Sequence, residues 1–141
     1  MSIWKTTPTL DQVNNHSKET LVDHLGIEIT KITEDSLEGQ MPVTNQIKQP
    51  YGIVHGGANC VLAETLGSVA ANLVLDSTKQ HAVGLSIHTN HIKAVRNGVV
   101  KGIAKAKHIG RKTQVWEIVT YNSKDDVTSI TSLTMSNIDR L

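Results

Sequence analysis

Every side chain between Tyr51 and Asp76 is apolar, small or neutral polar, except His55 and Glu64. Within this stretch the spacing predicts one long helix, roughly Gly57 to Leu75. Val61, Leu62, Leu66, Val69, Leu73 and Val74 cover much of its circumference, and Ala58, Ala63, Gly67, Ala70 and Ala71 supply the rest. A helix with so little charge has to be covered on most sides, here by a sheet and by a second copy of itself. Gly52 to Leu75 is long enough to span a bilayer, but Glu64, two Asn and four Gly residues argue against insertion.

The flanking segments supply the sheet. Ile27 to Ile32 and Leu37 to Val43 read as strands around the polar turn Thr33-Glu34-Asp35-Ser36, and a loop from Thr44 to Gly52, broken by Pro50, leads to the helix. After the helix, Val83, Leu85, Ile87 and Thr89 alternate with Gly84, Ser86, His88 and Asn90, which is strand periodicity. Val99 to His108, Thr113 to Asn122 and Val127 to Asn137 continue the pattern, separated by Arg96-Asn97-Gly98, Ile109-Gly110-Arg111 and Ser123 to Asp126. The order of two strands, one long helix and four strands predicts an α+β fold whose last four strands form an antiparallel meander. Thr9 to Leu25 shows short helical signals, with Leu10 and Val13 at helical spacing, Ser17 as a candidate cap ahead of Leu21 and Val22, and Gly26 as the stop.

At 141 residues the chain suits one domain, 1–141, with residues 1–25 as an N-terminal helical segment. Only 3% of residues are aromatic and there is no Phe, so the core must be aliphatic. A net charge of +1 argues against a nucleic-acid partner. The single cysteine, Cys60, excludes an internal disulfide framework and suits a reducing compartment. With no basic-then-apolar leader, the expectation is a soluble cytoplasmic protein without a membrane partner.

On the helix, Cys60, Glu64 and Ser68 are spaced i, i+4, i+8 and share one stripe, with no Lys or Arg to pair the carboxylate. Two readings stand. Glu64 reaches solvent or accepts hydrogen bonds from Thr65 or Ser68, or it is a general base or nucleophile in a half-buried pocket. His55-Gly56-Gly57 sits where the loop enters the helix, where unpaired N–H groups and the helix dipole favour negative charge. Such a site can hold a thioester oxygen as it becomes an oxyanion.

The segment QPYGIVHGGANCVLAETLGSVAA resembles the signature of hotdog-fold acyl-CoA thioesterases, in the branch of the phenylacetyl-CoA and aromatic acyl-CoA enzymes. HLGIEI, GLSIHTNHIKAVRNG and AKAKHIGRKTQVWEI extend the likeness over most of the chain. The resemblance implies a hotdog fold, a curved antiparallel sheet of five to six strands around one long helix. It implies Glu64 as the catalytic carboxylate and Gly56 as the backbone donor to the thioester oxygen. Gln49 and His55 would then assist near the thioester, and Ser68 would orient the attacking group or water. It implies no cofactor beyond the CoA of the substrate, and a homodimer paired into a homotetramer.

Seven of the fourteen basic residues, Lys93, Arg96, Lys101, Lys105, Lys107, Arg111 and Lys112, fall in a stretch with no acidic residue. They would suit the phosphates of CoA. With the resemblance, His91, Arg96, His108, Gly110, Arg111 and Lys112 become the candidate CoA contacts. A metal at His88 and His91 is disfavoured, because residues i and i+3 of a strand face opposite sides. Cys60 reads as a structural thiol.

Three function classes follow: a thioesterase, a hotdog dehydratase or hydratase, and a non-catalytic acyl-CoA binder. Among substrates the closest-looking branch points first to 1,4-dihydroxy-2-naphthoyl-CoA of menaquinone biosynthesis, then to a general aromatic or medium-chain acyl-CoA. Without Phe, shape and not ring stacking would set selectivity. Gly56 and Glu64 lie ~12 Å apart along a helix axis at 1.5 Å per residue, so they can meet at one thioester only across two antiparallel copies.

Overall fold

The computed structural model describes all 141 residues. Two short helices, α1 (Leu10–His16) and α2 (Leu21–His24), precede β1 (Glu28–Ile32) and β2 (Ser36–Pro42). The long helix α3 (Gly56–Leu73) follows, then β3 (Gln80–His91), β4 (Val99–Ile109), β5 (Thr113–Tyr121) and β6 (Val127–Asp139). The six strands form one antiparallel sheet in the order β1-β2-β4-β5-β6-β3, packed against α3.

The sheet corrects one expectation. β4, β5 and β6 form a meander, but β3 pairs with β6 and not with β4. Residues 92–98, which include the expected hairpin turn Arg96-Asn97-Gly98, therefore cross from one edge of the sheet to its middle, where β4 lies beside β2. Strand periodicity is a local property of side chains and carries no information on partners.

α3 buries one face. Leu62, Ala63, Leu66, Ala70 and Ala71 are fully enclosed, and Leu66 seats its methyl groups against Gly39 of β2 and Gly102 of β4, where a side chain would collide with it. The opposite face is only partly covered: Glu64 is exposed, and Val61, Thr65, Ser68 and Val69 are half-buried. Within one chain only Gly57 and Glu64 of α3 are exposed, and the half-buried side is the one expected to meet a second copy.

The N-terminal segment is tied down over that open side. Asn14 holds β1 through both ends of its amide, donating to Ile29 O at 2.9 Å and accepting from Ile29 N at 2.8 Å. The Trp4 indole donates to Thr33 O and stacks on Trp116, with centroids 6.1 Å apart. The N–H groups of Lys5 and Thr6 satisfy Leu73 O at the end of α3. Thr9 and Gln12 form the capping box of α1. Ser17, expected to cap the second turn, instead closes α1, while α2 starts after Thr20, whose hydroxyl bonds back to Ser17 O. The loop before α3 contains a 3₁₀ turn, Asn45–Ile47, anchored by buried Ile47. One apolar core runs from Trp4 to Met135. No helix is long and apolar enough to cross a membrane.

Candidate active site

Gln49-Pro50-Tyr51-Gly52 builds the approach to α3. Pro50 favours the second position of a tight turn, which Gly52 N closes on Gln49 O at 2.9 Å. Gly52 adopts φ +80, a conformation glycine takes without strain. The chain then returns alongside itself, with Gln49 N donating to Ile53 O and a bridge between Lys48 and Val54. The Gln49 side chain accepts a short hydrogen bond from Tyr51 N through Oε1, which leaves its amide N–H₂ without a protein acceptor.

His55 is the N-cap of α3. Its Nδ1 accepts from Gly57 N at 2.8 Å, so the neutral ring carries its proton on Nε2. The Gly56 N–H, at the first helical position, donates to nothing within the chain. His91, at the end of β3, lies over Gly56, and a methyl group there would stand 2.8 Å from its Nε2. Gln49, Gly56, Asn59 and His91 line a cleft of about 240 Å³. His88, by contrast, pairs with Ser132 on the other face of β3.

The expected stripe is present and aligned with β3. Gly56 meets His91, the Cys60 thiol donates to Thr89 Oγ1 at 3.5 Å, and Glu64 lies against Gly84. α3 and β3 run antiparallel, so the two ends of the stripe are the two chemically interesting ones. Glu64 is not in a half-buried pocket of its own chain, and neither proposed neighbour donates to it: Thr65 donates to Val61 O, and Ser68 turns towards Met135 Sδ. Glu64 and Ser68 instead share an open hollow with Leu21, Val22, Val61 and Val69. It adjoins a second hollow of about 400 Å³ between α1 and α3, lined by Val13, His16, Val69 and Leu73 among others. The N-terminal helices thus supply one wall, a contribution that their weak sequence signals did not reveal.

The basic stretch divides. Lys93 is held by Asp126 at 2.7 Å, Lys101 by Asp125 at 3.0 Å and Lys107 by Glu117 at 3.8 Å. The hydrogen bond from Lys93, with a second from Asn122, holds the Asp126 carboxyl below the usual carboxylate range. Arg96, Lys105, Arg111 and Lys112 make no ion pair. Arg96 reaches Tyr51 O at 3.5 Å, on the Gly56 side of the molecule. His108, Gly110, Arg111 and Lys112 surround the β4–β5 turn at the far end of β4, ~33 Å away at about 3.3 Å per residue. Within one chain the six candidate CoA contacts do not converge.

Comparison with known proteins agrees with this architecture. The thioesterase superfamily pattern matches residues 51–129, from the turn before α3 into β6. A proofreading thioesterase, EntH, of Cronobacter turicensis is 47% identical over 122 residues, 86% of this chain and 88% of its own. The crystal structure of a glutamine-to-alanine variant of a Pseudomonas aeruginosa thioesterase is similar with a TM-score of 0.97 and 39% identity, covering 99% of this chain and 100% of that one. A glutamine-to-alanine variant of a Staphylococcus aureus thioesterase gives 0.80 and 32%, covering 83% and 97%. With a six-stranded antiparallel sheet against one long helix and these relatives across most of its length, the chain belongs to the thioesterase superfamily, with the hotdog fold, and is a thioester hydrolase.

Proposed function

We propose that the protein hydrolyses an aromatic or medium-chain acyl-CoA to the free acid and CoA, in a site shared by two copies of the chain. The observation that carries this reading is the separation of Gly56 from Glu64 along one helix, each with a hollow beside it. The Gly56 N–H of one copy, with the free amide of Gln49 and the Nε2–H of His55, would hold the thioester oxygen as charge develops on it. Glu64 of the other copy would either attack the carbonyl carbon, forming a mixed anhydride that water then hydrolyses to the acid and the free carboxylate, or take the proton of an attacking water that Ser68 orients. The thiolate of CoA leaves and is protonated.

Two further observations support the shared site. β3 is an edge strand of 12 residues that leaves Val83, Leu85 and Ile87 42%, 64% and 38% exposed, the kind of edge that pairs with a second sheet. In addition, the S. aureus relative has been crystallised as a glutamine variant and as a glutamate variant. Those two positions are fifteen residues apart, the spacing of Gln49 and Glu64. We take a homodimer as the minimal unit and a homotetramer as its assembly, acting in the cytoplasm with no cofactor.

For the acyl group, the hollow between α1 and α3 sets Val13, Val69 and Leu73 among polar neighbours that include Gln12, His16 and Asn72, and both tryptophans are committed to the core. Shape would therefore select the acyl chain, and 1,4-dihydroxy-2-naphthoyl-CoA stays the first candidate. The 47% identity to a proofreading thioesterase favours a second reading, removal of wrongly formed thioesters, which predicts broad turnover across acyl groups. A thiol-release screen over an acyl-CoA panel tests both. One strongly preferred aromatic substrate supports the first and a flat profile the second. A preference for long saturated chains defeats both.

A further inference from the structure

Asn59 lies one turn into α3, is 5% exposed, and lines the cleft with Gln49, Gly56 and His91. Its Oδ1 is buried with no hydrogen-bond partner, a condition that native proteins rarely leave uncompensated. The Gly56 N–H and the Gln49 amide of the same cleft are free but do not bond to it, and other nearby donors are committed elsewhere. Val54 N donates to Val95 O, Ile92 N and Lys93 N both donate to Thr128 O, and the Lys93 ammonium is held by Asp126. No group of the chain supplies this donor, and a ligand entering the cleft can.

A thioester whose oxygen is held by the Gly56 N–H brings such a donor with it. In CoA the sulfur is followed by two methylenes and then a secondary amide. Asn59 follows Gly56 by three residues, ~4.5 Å along the helix axis, which is comparable to the span from the thioester sulfur to that amide nitrogen. We propose that Asn59 binds this cysteamine amide, Oδ1 accepting its N–H, and so makes the site selective for thioesters of 2-amidoethanethiol over other thioesters. The assignment rests on the reading of Gly56 as the thioester's donor.

The test uses the best acyl group in three forms: the acyl-CoA, its N-acetylcysteamine thioester, and the S-(2-acetoxyethyl) thioester in which an ester oxygen replaces the N–H. The native protein should prefer the amide over its oxygen isostere by about ten- to a hundredfold in kcat/KM, since the isostere leaves Oδ1 unpaired. Asn59→Ala and Asn59→Leu, two variants of different size in case one folds poorly, should bring that ratio close to one without a loss of Tm. Hydrolysis of the acyl-CoA with equal rates on both analogues, as expected if Oδ1 only binds a water, overturns the assignment of Asn59 alone. A ratio that survives in both variants also overturns it. No hydrolysis of any of the three overturns the reading beneath it, and this assignment with it.

Discussion

The carboxylate of Glu64 lies against the backbone of Gly84, so close that a methyl group at position 84 would stand 2.8 Å from Oε1. Gly84 sits at the bulge of β3, has an ordinary negative φ, and meets only the far end of a flexible side chain. Gly84→Ala should therefore move the carboxylate and leave the backbone alone. The expected outcome is a fall in kcat of about a hundredfold, the cost of an ångström-scale misplacement, with Tm within about 2 °C of the native protein. Unchanged kcat in a folded variant would show that the seat of Glu64 on β3 has no part in the chemistry.

Glu64→Gln keeps the shape and removes the base. Because Glu64 is exposed and makes no ion pair in the chain, the change should leave folding untouched. Turnover should drop by roughly 10²–10⁴ while acyl-CoA binding, measured by calorimetry, is retained. Activity near the native level would remove Glu64 from the mechanism.

What could be read from the residues, and what could not, follows from the range of each signal. The α3 stripe was legible because helix spacing acts within a few residues. The seat of β3 beside β6 was not, since it is set by pairs 38 to 59 residues apart in sequence, from His91 with Ser129 to Gln80 with Asp139. Counting charges between Lys93 and Lys112 overstated the free positive charge for the same reason. Asp125 and Asp126 come from the β5–β6 turn, beyond the segment counted. Asn59 carries no signal in the sequence, because an asparagine in a helix is ordinary until its burial and its missing partner are known.

The divided basic residues give the next prediction. Arg111→Ala with Lys112→Ala removes two cations free of ion pairs at the β4–β5 turn, whereas Lys93 is already neutralised by Asp126. The double variant should raise KM for acyl-CoA several-fold at low ionic strength and flatten its dependence on salt, with kcat unchanged. Lys93→Ala should change KM much less. If the double variant keeps the native KM at low salt, the nucleotide phosphates bind elsewhere.

The last prediction concerns which chain supplies which half of the site. His55 caps α3 through Gly57 N beside the free Gly56 N–H, and Glu64 lies two turns further along the same helix. At 1.5 Å per residue the eight residues from Gly56 span ~12 Å, too far for one thioester to touch both ends. Antiparallel pairing through the exposed edge of β3 would place one copy's Glu64 beside the other's Gly56, and two-fold symmetry would make the arrangement twice. His55→Ala and Glu64→Ala, each inactive alone, should then complement when unfolded and refolded together. Each hybrid dimer holds both lesions in one site and leaves the other intact. Random pairing makes about half of the dimers hybrid, each with one working site of two, so roughly a quarter of native activity should return. Differently tagged chains, purified in tandem, establish that hybrids form. Hybrids without activity would place Glu64 and the helix start of the same chain in one site, against the distance between them.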